Sequence, residues 1–523
     1  MTVGALYQIK NYNTNAANNF LEVDPQISFF KIVFRKHTRF AIENIKFDNL
    51  SRTNLAYDSN VIITADIPRN GDLLKNLYFT FELPKIYSGS YTNTNNIIET
   101  FNFKWIENIG INIFNYVKLK INNQEIDTLY SDYINIWKEL FLNNDEKKKF
   151  NKNIGHIKEI YKPEDGPGQN GIYPHITNNT STISTLNQSE KYFDNKSKII
   201  SIPTSSSELD VVIPSIQSYK IKVPLPFSFF LNSGLVIPLI ALQYSILSLE
   251  FEMKKFQDLY TIIDTKYASA TNNDNNISFK KRIKPGSESH HAMSNFTNNY
   301  NYNINPNIEG EYIFLDNEER KRFAINDHEF LITQHKISNK NGIEIKANRE
   351  ETSEKISPAF NPVKYLTWVV KRDDFSKINL WNNYTNWVNE DIPPYSNENY
   401  YNEKYYNLTN SSNVFFNPNI TNNKNDFKME NLKKNILTSV KIEFDGNLRI
   451  DKNIEYFEKQ QTYEYFKTNS KDGIFVYSFS LNPKDYQPSG TCNFSNIYNP
   501  KIYFRKDIQE NFTHYNYRAY LFV

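Results

Sequence analysis

Cysteine is almost absent: one residue, Cys492, in a chain of 523. That excludes an intrachain disulfide and a cysteine-ligated metal site, and it suits a reducing compartment. Charge of one sign is not in excess either. The 60 basic and 58 acidic residues leave +2, so no global field recruits nucleic acid or anionic lipid. Long apolar runs are missing. LVIPLIAL (Leu235 to Leu242) is far too short to span a bilayer and contains Pro238. The opening MTVGALYQIKNYNTN shows neither a basic n-region nor an apolar core, so the expectation is a soluble chain, made in the cytosol, with no transmembrane segment. Several N-x-S/T triplets, such as those at Asn195, Asn276 and Asn407, are accounted for by chance in so asparagine-rich a chain.

Aromatic residues are what the chain has in quantity: 15% of it, mostly 36 Tyr and 38 Phe. These side chains suit pleated, half-buried surfaces, which predicts an all-β architecture. The length is too great for one ordinary core, so two or more domains are expected.

Short strand-like runs separated by turn residues recur along the chain. VIITADIP, the turn signal RNGD and LLKNLYFTFELP read as a hairpin. In INIFNYVKLKINNQEID, Val117, Leu119 and Ile121 alternate with Lys118, Lys120 and Asn122, as in a sheet with one wet face, and Asn122-Asn123 marks the next turn. SDYINIWKELF (Ser131 to Phe141) changes to helical spacing. Residues 143–218 form a long polar excursion expected to carry little structure, and 264–309 a second. Between them, SYKIKVPLPFSFFLNSGLVIPLIALQYSILSLEFEM gives two strands separated by LNSG. EYIFL is a strand followed by a short helix that Asp316 and Glu319 would cap, with His328 at its far end. Strand-like runs then resume in GIEIKA, VKYLTWVV, SVKIEFDGNLRI, YEYFK, GIFVYSFSL and NYRAYLFV. Two similar all-β sandwiches are the economical reading, with jelly roll one topology among several.

A search for chemistry returns no candidate catalytic, cofactor-binding or metal site. Eight histidines occur without HExxH-like spacing, and His290-His291 sits in a polar excursion where solvation explains it. Cys492 has no Lys, Arg or His close by in sequence to lower its pKa. Asp373-Asp374 and Glu318-Glu319 are consecutive and diverge on regular structure. GPGQNG lacks the Lys-Ser/Thr of a phosphate loop, and Lys280 to Arg282 and EKKKF (Glu146 to Phe150) are short enough to be solvated faces. The reading is a structural or binding protein, not an enzyme, with no cofactor.

Seven segments, in order, carry a resemblance: DPQISFFKIVFRKHTRFAIE, IPRNGDLLKNLYFTFELP, NNQEIDTLYSDYINIWKEL, VPLPFSFFLNSGLVIPLIALQY, YIFLDNEERKRFA, NPVKYLTWVV and YSFSLNPKDYQPSGTCNFS. Together they resemble the double jelly-roll major capsid protein of nucleocytoplasmic large DNA viruses, over nearly the whole chain. The two polar excursions match no motif of that family, and Asn122-Asn123 stands where the family often has Gly-Gly. The resemblance implies two consecutive eight-stranded jelly-roll sandwiches with short helices and long surface loops. Residues 1–24 would be an N-terminal arm, 25–332 the first jelly roll and 333–523 the second. Ile27 to Val33 would be the first strand of barrel one, with Phe29 and Phe30 on opposite faces and Arg35 to Thr38 where the strand bends. The implied partners are two further copies in a pseudo-hexameric homotrimer, neighbouring capsomers, and minor capsid and penton proteins. Host receptors or glycans could meet the outer loops, and no direct nucleic-acid contact is implied. The implied location is the virion capsid, after synthesis in the host cytoplasm in a viral factory. A low-copy double-barrel paralogue or scaffold and, more remotely, a carbohydrate-binding sandwich are the competing readings.

Overall fold

Alternation decides most of the strands. VIITAD buries Val61, Ile63 and Ala65 and exposes the residues between, and LSLEFEM buries Leu247, Leu249, Phe251 and Met253 with half-buried residues between. The structure, a computed structural model, describes residues 24–84, 90–92, 98–161, 218–264, 281–283, 304–357, 361–373, 376, 379–387, 434–507 and 516–523. Numbered in chain order, the strands of the first barrel are β1 Phe40–Phe47, β2 Val61–Asp66, β3 Leu73–Leu83, β4 Phe114–Ile121, β5 Gln124–Tyr130, β6 Tyr219–Pro224, β7 Leu247–Met253 and β8 Asn307–Leu315. They form antiparallel sheets in the orders β1-β8-β3-β6 and β2-β7-β4-β5. A two-residue strand, Ile237–Pro238, pairs with β3 off the first path.

The second barrel contains β9 Ile343–Ile345, β10 Glu351–Lys355, β11 Tyr365–Arg372, β12 Ser439–Phe444, β13 Asn447–Asn453, β14 Ile474–Ser478, β15 Pro500–Arg505 and β16 Tyr517–Phe522. Its sheets run β9-β16-β11-β14 and β10-β15-β12-β13. Adding eight to every strand number of the first barrel reproduces the second. Both are jelly rolls, in which most successive strands switch sheet and only the fourth and fifth form a hairpin.

That hairpin shows why sequence dictates the topology twice. Asn122 and Asn123 both have positive φ, and so do Asp445 and Gly446, 323 positions on. Two consecutive left-handed residues make the hairpin turn whose twist matches the strands, and Asn, Asp and Gly tolerate it best. Each hairpin carries a bulge at the same place, between Leu119 and Lys120 in one and between Ile442 and Glu443 in the other.

Aromatic rings fill both cores. Phe79, Phe114 and Phe251 meet at centroid distances of 4.9 to 5.6 Å in the first barrel. Trp368 packs on Phe457, Phe475 and Phe504 at 5.2 to 6.4 Å in the second. These tilted, edge-on and, for Trp368–Phe475, stacked contacts are favoured geometries, and each buried ring contributes several kcal/mol, on the order of 3–5 on truncation to Ala.

Several expectations need correction. Ile27–Val33 is not a strand; pairing starts at Phe40, opposite Leu315. Beyond Leu315 the chain turns into a helix, so β8 offers nothing for residues before Phe40 to pair with. RNGD does not close a hairpin: β2 pairs with β7 and β3 with β8, in different sheets. The first excursion starts with a helix, Asn144–Asn153, fixed by a reciprocal capping box between Asn143 and Glu146; residues 162–217 lie outside the described ones. Within 264–309, Asn307 already belongs to β8, and Lys281–Ile283 pairs with Tyr260–Asp264 in a small sheet that also takes in Ser90–Thr92 and Ile98–Trp105. YEYFK lies in a helix over 454–466, largely π-wound (Tyr456–Gln460 and Thr462–Phe466) and ended by Lys467 at φ 50°. Thr462 and Phe466 are buried four residues apart, a spacing that four-residue alternation hides. His328 lies past the helix, whose last residue is Ile325. The helices at Ser131–Phe141 (α1), Asn144–Asn153 (α2), Asn317–Ile325 (α3) and 454–466 (α4) are named below. In α3 the Asp316 carboxylate accepts from the Glu319 N–H, as expected.

Candidate functional site: the seam and the uncovered face

The two barrels meet along one sheet. In β11 the even-numbered Leu366, Trp368 and Val370 enter the second core, while Tyr365 and Val369 face the other way and join the core of the first barrel. β14 divides likewise, with Phe475 and Tyr477 inward and Ile474 and Val476 toward the seam. Both faces are covered, so YLTWVV and IFVYS are buried throughout and almost wholly apolar, with the Thr367 and Ser478 hydroxyls donating to backbone carbonyls, where a half-wet strand would alternate.

The element that covers this sheet is α1, which leaves the end of β5 and projects Tyr133, Trp137 and Phe141 at helical spacing. Tyr133 shares a 2.8 Å hydroxyl–hydroxyl hydrogen bond with Tyr365 and packs on Phe522. Burial drives the Tyr133 phenol well above its ordinary pKa and the Tyr365 phenol up to about 12, so both stay protonated and neutral. Beside them the Lys371 ammonium donates to Asp132 at 2.5 Å. The linker to the second barrel is pinned where the His335 backbone N–H donates to Asp127 Oδ1 at 2.9 Å. The ring Nδ1 lies 3.0 Å from Oδ2, and the Tyr133 ring lies tilted against the imidazole at 4.1 Å.

Above this, loops from the same end of both barrels interlock. Asn379 donates to the carbonyls of Gln257 and Tyr260, and the Trp381 indole to that of Asp258. Lys254 lies under the Trp381 ring at 4.6 Å. Its burial, with Lys371 nearby, lowers its pKa to about 8. His156 is pushed down to about 4, first by burial and then by the Lys138 ammonium. Burial works against ionised Glu139, yet Lys138 and Lys147 together hold its pKa below the usual carboxylate value. The contact is therefore an apolar patch rimmed by paired charges, the make-up of a permanent interface.

Among the described residues, nothing covers the equivalent sheet of the first barrel in this way. The outward residues of β3, β6 and β8 form a wet, ion-paired face, with Lys222 to Glu309 at 2.5 Å, Lys75 to Glu311 at 3.2 Å and Lys222 over Tyr78 at 4.3 Å. At its edge, β1 leaves Phe40 and Ile42 exposed. Conversely, α4 starts 323 positions after α1, at Ile454 against Ser131, so Glu455 and Tyr456 stand where Asp132 and Tyr133 do. Its outer side, with Glu455, Lys459 and Tyr463, is exposed, and Tyr463 is 77% so. Among the described residues, one sheet has no helix over its outer face and one helix has no sheet over its outer side.

The residues weighed for chemistry stay apart. Cys492 is half-buried in a two-residue strand, and burial raises its pKa. His328 donates from Nε2 to the Phe323 carbonyl at 2.8 Å and stacks between Phe323 and Phe330. Asp373 pairs with Arg518 at 2.9 Å. His290, His291 and GPGQNG lie outside the described residues. Among the described residues no three His, Cys, Asp or Glu side chains gather as a metal site, and no helix is long and apolar enough to cross a membrane. Of the seam residues, Tyr133 is legible in the sequence only as part of a helix face, and Asp127, His335 and Tyr365 were not singled out. The one signal was YLTWVV, too apolar for a strand with one wet face.

Comparison with known proteins agrees with this geometry. Residues 28–316 match the family described as major capsid protein N-terminus, and residues 319–518 the family described as large eukaryotic DNA virus major capsid protein. The chain is 25% identical to the major capsid protein of Phaeocystis pouchetii virus, covering 95% of this chain and 92% of that one. It is also 25% identical to the major capsid protein of Paramecium bursaria Chlorella virus 1, covering 95% and 86%. Its fold superposes on the PBCV-1 capsid model with a TM-score of 0.56 at 21% identity, over 95% of this chain and 96% of that one. The Faustovirus major capsid protein gives 0.58 at 11% identity, over 100% and 96%. This chain belongs to the major capsid protein family of large eukaryotic DNA viruses.

Proposed function

We propose that the chain builds the virion shell as a homotrimer in which α4 of one copy lies on the β1-β8-β3-β6 face of the next. The observation that carries this is the internal repeat: α1 already covers the equivalent sheet of the second barrel. Applied head to tail, one contact rule joins barrel to barrel within a chain and chain to chain around a ring. Six barrels from three chains then give a nearly hexagonal block, which tiles a shell beside like capsomers. Minor capsid and penton proteins would meet it at edges and vertices, the outer loops would face the host, and synthesis would take place in the host cytoplasm. The role asks for stable surfaces and no catalysis or direct nucleic-acid contact.

Light scattering at micromolar concentration tests the trimer. Three chains of 61.6 kDa predict a particle of roughly 185 kDa. Thr80→Arg, at the centre of the uncovered face, should leave a folded monomer. A native chain that is itself monomeric, or a trimer unaffected by Thr80→Arg, contradicts the arrangement.

A further inference from the structure

The segment 24–39 has no role in either core, and all of it is exposed. It nevertheless carries Phe29, Phe30 and Phe34 at 84 to 99% exposure, with Ile27, Ile32 and Val33 between. Lys31, Arg35, Lys36 and Arg39 are interleaved with them against the single acid Asp24. The sixteen residues therefore hold a net +3, more than the +2 of the whole chain. Balanced overall charge conceals a concentrated local one.

The placement of this segment is equally uneven. It enters β1 at the end of the barrel that also holds the Asn122-Asn123 turn and the loop that Arg69 binds through the Gln243 and Ser245 carbonyls. The second barrel stands the same way up, because loops from the opposite end of both barrels meet at Asn379 and Trp381. Large apolar side chains exposed elsewhere in the described residues gather at this same end, among them Tyr244, Ile246, Leu481 and Tyr498; Ile62 and Tyr463 are the exceptions.

We infer that this end of the molecule docks on an anionic lipid surface, with residues 24–39 as the attachment segment. Aromatic and aliphatic side chains enter the boundary between headgroups and acyl chains, while Lys and Arg extend to lipid phosphates or carboxylates. Aromatic rings favour that depth. Cations near such a surface gain from its negative potential, an attraction that salt weakens. A protein partner would ask for a fixed complementary surface, and this segment has no ladder, helix or internal packing to present one. Its recurring pairing of ring and cation suits a fluid surface that needs charge and depth without register.

The test uses the full-length protein with vesicles of phosphatidylcholine alone or with added phosphatidylserine, separated by flotation. The inference expects binding to the anionic vesicles only, weakened about tenfold or more by high salt. Phe29→Ser/Phe30→Ser/Phe34→Ser and, separately, Lys31→Gln/Arg35→Gln/Lys36→Gln/Arg39→Gln should each reduce binding about tenfold. Melting temperature and light-scattering mass should not change, since these residues lie outside both cores. Equal binding to neutral vesicles, no binding to anionic ones, or undiminished binding by both variants overturns it. So does capture of a virion protein through this segment by a chain that ignores vesicles. The mass measurement keeps this outcome separate from failure of the proposed trimer.

Discussion

The sheets β1-β8-β3-β6 and β9-β16-β11-β14 have one strand order and opposite surroundings. The second is buried on both faces along β11 and β14, which read YLTWVV and IFVYS; the first is wet outside and β3 alternates as LYFTFEL. Topology is thus indifferent to which face is covered, and the outward residues record it. On β11 the covered face, from Tyr365 to Val369, is apolar apart from Thr367, whose hydroxyl donates to the Phe475 carbonyl, whereas the uncovered face carries paired charges.

Substitution of matching outward positions should break this comparison most visibly. Val369→Lys places an unpaired ammonium in the seam and should cost about 3–5 kcal/mol in chemical denaturation. Thr80→Arg should cost less than about 1 kcal/mol and affect assembly instead. Equal losses would mean that the two faces are not different after all.

Acid should act through the seam. His156 has a folded pKa of about 4, below its unfolded value of 6.5. Its neutral form is native-like, so its contribution is complete above pH 6.5 and is lost as the pH falls toward 4, because only the unfolded chain takes up the proton. The loss should reach about 2–3 kcal/mol. His156→Gln should flatten that part of the stability–pH curve, and an unchanged slope would remove His156 from the account.

The tyrosine pair should contribute less. Tyr133→Phe and Tyr365→Phe should each cost about 1 kcal/mol, and the double variant little more than either, since one shared hydrogen bond is lost. Additive losses would show that the hydroxyls act separately.

The hairpins should give the smallest effects, of opposite sign. Asn123→Gly, at φ 65°, should stabilise by about 0.5 kcal/mol. Gly446→Ala, at φ 83° with open space around it, should cost about 1 kcal/mol through backbone strain alone. Melting temperatures of the two variants settle the signs.

Much of this was legible in the sequence, for reasons that also explain the errors. Alternation in VIITAD, the Asn122-Asn123 turn and the helical spacing of Ser131–Phe141 are local signals, and the structure keeps all three. What failed depended on distant partners. RNGD looks the same whether it closes a hairpin or carries the chain between sheets. Ile27–Val33 has every property of a strand except a neighbour. The seam was hidden for the same cause, since Asp127 and His335 are 208 positions apart and only folding brings them together. The double burial of β11 was visible in YLTWVV, but not what covers it.

Electron microscopy of the purified particle, viewed along its symmetry axis, is the most direct measurement. A six-lobed outline with three-fold symmetry is predicted, each chain supplying two adjacent lobes. Isolated two-lobed particles, or pairs related by a two-fold axis, would contradict the claim that the free sheet of one copy receives the free helix of the next.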